Sequence, residues 1–369
     1  MKILFPFVGN SFGGSHQSAL LLIEALNKNG FEAQILIHKS GTLKNYLQKR
    51  KINFLETRLP VWRQTKYPII NFFQTIIISP LIIYKLYTLK IDLVHINDGK
   101  IRNTWALGTK LSYKKLIFHQ RTIFDKSKLS FFLLFLPETI ISISKFVKQS
   151  LPKRFHNKVK VINNPFVIQN SINKNEAKYN ICKNYSIDSK QYILSFIGSF
   201  NIQKRPLIAL KTLSMLREKG IEISLLFIGK ISDFNKKELE KNIKEENLRN
   251  FVKIIGFKED ITEYLFGSDF IIAPSINEGS GRILIEAMLS STPVVASNHG
   301  GHNEIIEDKF NGLFGIIDDP ISMSNSLLKL IENESLLQKI TVNAKIYATK
   351  NFNTAKHVNL VGKIYRSMN

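Results

Sequence analysis

Short apolar runs alternate with longer amphipathic stretches along this chain, and after an interruption near the middle the alternation begins again. KILFPFV, FEAQILIH, IDLVHIN, KKLIFHQ, ETIISIS and VKVIN have strand length and β-branched content, and several are separated by helical patterns such as SHQSALLLIEALNKNG, which Gly30 ends. Strand followed by helix, repeated, predicts a parallel doubly wound sheet. Beyond Asn163-Asn164-Pro165 the polar stretch SINKNEAKYNICKNYSIDSK suits a linker. QYILSFIG, ISLLFIG, VKIIGF, DFIIAPS and TPVVAS then restart the pattern, and from about Ile321 the sequence is helical to the end. With 369 residues there is room for two cores. The expected division is a domain over 1–168, a second over 169–350, and a C-terminal helix over 351–369 that packs back toward the first.

Charge separates the two halves. Residues 1–170 carry 26 basic and 7 acidic side chains, a balance of +19, whereas residues 171–369 carry 26 and 22, a balance of +4. The first half therefore draws in anions, whether nucleic acid, anionic lipid head groups or a phosphorylated substrate. One cysteine, Cys182, has no partner for an internal disulfide and no zinc-ligand spacing around it, which fits a reducing compartment. The opening MKILFPFVGNSFGG breaks into Asn and Gly without a cleavage pattern and reads as a first strand. Residues 68 to 87, PIINFFQTIIISPLIIYKLY, are apolar but broken by Asn71, Gln74, Pro80 and Lys85, short of the ~20 uninterrupted residues of a span. A buried helix pair is favoured there over a surface-seeking helix flanked by Arg63, Lys66, Lys85 and Lys90. LSFFLLFLP, residues 129 to 137, poses the same choice, and the +19 field adds a case for contact with an anionic membrane.

Chemistry concentrates in residues 269 to 315, DFIIAPSINEGSGRILIEAMLSSTPVVASNHGGHNEIIEDKFNGLFG. A strand ends at Pro274-Ser275, a loop holds Glu278, Gly279, Ser280 and Gly281, Arg282 follows it, and a helix then runs through Ala287 and Met288. Backbone amides at a helix N-terminus behind a glycine loop form a phosphate cradle. Glu278 and Glu286 fit hydroxyl-accepting carboxylates at the carboxyl edge of the sheet, and by spacing alone they fit a solvated loop residue and an exposed helix residue equally well.

These residues resemble the signature of retaining nucleotide-sugar glycosyltransferases of the GT-B fold, glycosyltransferase family 4, in which two glutamates separated by seven intervening residues lie in an EGFG-like loop and helix. Here they are Glu278 and Glu286, followed in the family's order by TPVVAS, GGHNEII and NGLF. FGGSHQSALLLIEAL, with Gly13 and Gly14, ETIISISKFVKQSL and VINNPF are similar to further family segments, so the resemblance covers nearly the whole chain. It implies two facing Rossmann-like domains with a cleft between them. In IGSFNIQKRP, Lys204 matches the lysine that meets the donor diphosphate, although Lys204-Arg205 also fits a solvated basic pair. Ser199 stands where arginine is common, and Arg205, where glycine is usual, is the candidate to restore that charge. His119 is similar to the histidine that faces the donor sugar; by position alone, a strand-end histidine is more often structural. His16 and His302 are weaker candidates, and Arg121 and Asp125 are placed on the acceptor side.

No D-x-D occurs, so no metal or other cofactor is expected, and the leaving diphosphate falls to Lys204, Arg205 and backbone amides. The resemblance implies transfer of a sugar from a UDP- or GDP-sugar, with retention, to a glycan or glycolipid acceptor in bacterial surface polysaccharide or lipopolysaccharide synthesis. The expected location is the cytoplasmic face of the inner membrane. A nucleotide-sugar epimerase of the same plan gives no reason for the +19 half. A nucleic-acid-binding protein fits the pI near 9.8 but lacks a recognisable binding motif, and no nucleic-acid partner is expected.

Overall fold

The computed structural model describes residues 1–61, 67–97, 99–125, 127–167 and 172–368. The chain divides into two compact units, Met1–Phe166 with Thr354–Asn369, and Val167–Asn353. The domain boundary expected at 168/169, and Arg63 and Lys66, lie outside the described residues.

Among the described residues of the first unit, β1 (Lys2–Phe7), β2 (Glu32–Ile37), β3 (Leu55–Glu56), β4 (Leu93–Ile96), β5 (Lys115–Gln120), β6 (Thr139–Ser142) and β7 (Val159–Val161) form a parallel sheet in the order β3-β2-β1-β4-β5-β6-β7. In the second, β8 (Tyr192–Ile197), β9 (Ile223–Ile228), β10 (Val252–Gly256), β11 (Phe270–Ala273), β12 (Val294–Ser297) and β13 (Leu313–Gly315) are ordered β10-β9-β8-β11-β12-β13, again all parallel. The pattern of burial explains the apolar runs. In β1, Leu4 packs into one cluster while Ile3, Phe5 and Phe7 pack into another on the opposite face, as in a strand covered by helices on both sides. The strand order reverses between β1 and β4 and between β8 and β11, which opens a crevice at the carboxyl ends of those strands in each unit.

The helix Thr354–Arg366 belongs to the first unit. Val358, Val361 and Tyr365 bury against Ile3, Phe5 and Leu22, and Thr354 Oγ1 donates to the Phe166 carbonyl at 2.9 Å.

Two expectations need correction. The polar stretch read as a linker contains a helix, Lys174–Tyr185, whose first amides at Asn175 and Glu176 are capped by the Asn173 side chain at 2.9 and 3.3 Å. Its narrow inner face, Ala177, Ile181 and Cys182, is buried, too few residues to register in an otherwise charged segment. The segment read as a buried helix pair is instead one 21-residue helix, Pro68–Thr88, with Pro80 inside it. It turns Asn71, Thr75 and Ser79 inward beside Ile78, Ile82 and Leu86. Thr75 and Ser79 return their hydroxyls to the carbonyls one turn back, at 2.9 and 2.8 Å, which lets polar residues be buried. Gly108 permits the helix Gly99–Leu111 to approach closely, since a Cβ there would lie 2.7 Å from Ile82 Cβ. The outer face is apolar, with Ile69, Ile77 and Tyr84 71%, 66% and 70% exposed.

Candidate active site

In the second unit three loops meet at the strand reversal. The loop after β8 runs from Gly198 to Arg205, the loop after β11 from Pro274 to Gly281, and the loop after β12 from Asn298 to Gly301. Backbone bonds join them: Ile276 N–H donates to the Gln203 carbonyl at 2.7 Å, Gly301 N–H to the Glu278 carbonyl at 2.8 Å, and Asn277 N–H to His299 Nδ1 at 3.1 Å. Gly301 has no room for a side chain, because a Cβ would lie 2.6 Å from the Gly279 carbonyl oxygen and 2.9 Å from that of Glu278. Gly281 adopts the left-handed conformation (φ +52°) and heads the helix Arg282–Leu289, which has no side-chain cap. The partial positive charge of that N-terminus faces the Glu278–Gly281 loop.

The Lys204 ammonium bonds directly to the Glu278 carboxylate, and both side chains are about three-quarters buried (23% and 22% exposed). Burial is the largest influence on Glu278 and pushes its pKa up, but the Lys204 charge and hydrogen bond, with a smaller contribution from His302, outweigh it and hold the carboxyl below its ordinary value. His302 is buried beneath this loop; its Nδ1 lies 3.2 Å from the Ser297 carbonyl, and its ring abuts Gly281 Cα's open side. Burial pushes it down to about 4 despite the opposing pull of Glu278, so it is neutral at pH 7. Glu286 points back to Arg282 one turn earlier, Nη2 to Oε1 2.7 Å. Ser199 is exposed in its loop. Arg205, expected to restore phosphate-directed charge, forms an ion pair with Asp318, its Nη2 donating to Oδ2 at 3.1 Å and its Nε 2.7 Å from Oδ1. An ion pair already engaging the guanidinium competes with the role expected from its position.

The first-unit candidates separate. Gly13 precedes the helix Gly14–Lys28 in an extended conformation, with open space where a side chain would begin. The His16 ring lies between those of Phe7 and Phe12, 5.8 and 6.2 Å away. Asp125 accepts from Ser127 N–H at 3.2 Å and Ser130 Oγ at 3.3 Å, and so braces the start of the helix Lys128–Leu133. His119 and Arg121 come together in a buried cluster that sequence reasoning only half found. Arg121 donates to Asn97 Oδ1 at 2.8 and 3.1 Å, to Asn164 Oδ1 at 2.5 Å and to His119 Nδ1 at 3.3 Å. His95 Nε2 lies 3.1 Å from the same His119 nitrogen, and His357 stacks over His119 at 6.0 Å between ring centres. Burial first, then the Arg121 charge, drives His119 and His95 well below the ordinary histidine value and His357 down to about 3. His95, His357 and Tyr365 carry no motif of their own. The signal that finds them is topological: β4 lies beside β5, and the last helix returns to the first unit.

Residues 178–347 match the family described as Glycosyl transferases group 1, so that domain lies within the second unit. An uncharacterized glycosyltransferase of Methanocaldococcus jannaschii is 29% identical over 237 residues, 63% of this chain and 60% of that protein. The Escherichia coli UDP-Gal:alpha-D-GlcNAc-diphosphoundecaprenol alpha-1,3-galactosyltransferase is 24% identical over 199 residues, 54% of this chain and 50% of that enzyme. The chain thus spans about half to three-fifths of the length of these relatives. The crystal structure of Anabaena HepE with UDP and glucose superimposes over 100% of both chains with a TM-score of 0.85 at 20% identity. The fold is therefore the GT-B arrangement of two parallel-sheet α/β domains.

Proposed function

We propose that this chain is a metal-independent glycosyltransferase of family 4 that moves a sugar from a nucleotide-sugar donor, with retention, to a lipid-linked or membrane-held glycan. The observation that carries the reading is the Lys204–Glu278 pair at the strand reversal of the group 1 domain, beside a helix N-terminus. An ammonium parked on a carboxylate is available for exchange: the donor diphosphate takes over Lys204, and Glu278, freed, accepts hydrogen bonds from the sugar hydroxyls. Glu286 accepts from the ribose hydroxyls of the nucleotide. The amides of the Glu278–Gly281 loop and the Lys204 charge stabilise the departing diphosphate, and the acceptor hydroxyl attacks from the face that the leaving group vacates. No side chain forms a covalent bond to the sugar. The UDP complex of HepE supports a nucleotide diphosphate in this kind of fold.

Because Lys204 supplies the charge that a bridging cation would otherwise bring, transfer should proceed in excess EDTA at a rate close to that in magnesium. Loss on chelation, restored by magnesium, would show that the diphosphate is held by a metal instead.

The acceptor and location rest on the first unit. The Pro68–Thr88 helix buries Asn71, Thr75 and Ser79 beside Ile78, Ile82 and Leu86 and presents further apolar side chains, Ile69, Phe73 and Ile77 among them, outward. Phe132 packs against Phe72 and extends that face, and exposed Lys90 and Lys128 lie on the same two segments' flanks. A helix with this face embeds in a bilayer surface, while each nearby lysine or arginine adds about 1 kcal/mol on an anionic surface. The reading places the protein at the cytoplasmic face of the inner membrane. The diphosphoundecaprenol-linked substrate named for the E. coli relative supports an acceptor of the same chemical kind. In sedimentation with vesicles the protein should pellet with anionic lipid at low salt, pellet less with neutral lipid, and be partly released at high salt. Failure to pellet with either lipid would remove the membrane from this account.

A further inference from the structure

His119 has one nitrogen engaged and one buried nitrogen, Nε2, without a protein partner. Which of the two carries the proton decides whether it offers a ligand an N–H or a lone pair, and the surrounding bonds answer this. Arg121 can only donate, so its 3.3 Å contact requires a lone pair on His119 Nδ1. The 3.1 Å bond from His95 to the same atom must then run from His95 Nε2–H, which leaves the lone pair of His95 on Nδ1. That nitrogen is bonded to the Tyr365 hydroxyl, which therefore donates. The opposite arrangement would set the His119 Nδ1–H against the Arg121 N–H, two donors facing each other.

We propose that Tyr365 and His95 are positioning residues: a one-way hydrogen-bond relay from Tyr365 through His95 holds His119 in the tautomer protonated on Nε2, so that its unpartnered N–H is the group offered to substrate. The part about substrate rests on the glycosyltransferase reading of His119; the tautomer does not. All three rings are buried, and burial keeps the tyrosine protonated and both histidines neutral, as the relay requires. The relay also gives the last helix a purpose, since it brings Tyr365 from the far end of the chain onto β4 and β5.

The test is a long-range proton–nitrogen correlation spectrum of 15N-histidine-labelled full-length protein at neutral pH, with His119 and His95 assigned by substitution. The wild type should show both as neutral, Nε2-protonated rings. Tyr365→Phe keeps the aromatic packing and removes only the donor, leaving the weak Arg121 contact as the sole bias, so His119 should become a mixture of tautomers. In the transfer assay this variant should lose about tenfold in kcat with the donor KM little changed, the size of one hydrogen bond. A wild-type His119 protonated on Nδ1, or a His119 tautomer untouched in Tyr365→Phe, would overturn the relay. If Tyr365→Phe does not fold, the wild-type spectrum decides alone. The expected spectra without any sugar transfer by the wild type would leave the relay standing and reject the enzymatic reading.

Discussion

Lys204→Ala should cut transfer by ~10² or more while the melting temperature stays within a few degrees of wild type, and Glu286→Ala should do the same. The two effects differ in size because the roles differ. A partly exposed ion pair contributes little to stability, on the order of 0 to 1 kcal/mol, so breaking Lys204–Glu278 or Arg282–Glu286 is cheap for the fold. For chemistry, loss of Lys204 removes the group meant for the departing diphosphate and leaves Glu278 to the influence of burial, which raises its pKa. Steady-state rates and thermal melts on the same purified variants check both halves. Full activity in either variant would remove that residue from the donor site.

Acidification should destabilise the first unit well before the second. Four of its histidines, His38, His95, His119 and His357, are lowered mainly by burial, whereas in the second unit His302, pushed down to about 4, is alone among the described histidines in being so. The unfolded chain takes up protons near pH 6.5 at these sites while the folded chain does not. Stability is therefore unaffected above that pH and falls as pH drops below it, by up to ~1.4 kcal/mol per pH unit for each histidine that stays neutral. Glu278 works in the same sense, since its lowered pKa also makes acid destabilising, but only below the ordinary carboxylate range, outside this window. Calorimetry between pH 7 and pH 5 at constant ionic strength should show the transition of the first unit moving to lower temperature more steeply than that of the second. Equal displacement of the two would mean that the histidines are hydrated or already charged.

The same contrast between local pattern and tertiary placement explains what the sequence disclosed. Strand runs such as KILFPFV and DFIIAPS were legible because a strand buried on both faces must be apolar throughout, and the glycine loop was legible because Gly281 and Gly301 occupy positions that side chains would strain or block. β3 and β13, two and three residues long, are too short for such a pattern to register as a run. Direction was not legible. Nothing in QKRP tells that Lys204 turns to Glu278 while its neighbour turns to Asp318, nor does an apolar composition tell which face of residues 68 to 88 is buried. The His95–His119–His357 cluster joins residues separated by up to 262 positions, a relation that only the strand order and the returning last helix create.

Saturation-transfer NMR with UDP, GDP, ADP and their hexose conjugates bears most directly on the claim that the second unit holds a nucleotide sugar. The ribose and sugar protons of one nucleotide series should receive saturation from the wild-type protein and lose it in the Lys204→Ala, Glu286→Ala double variant with the fold intact. Saturation of none of the three series, or saturation undiminished in the double variant, would contradict the account.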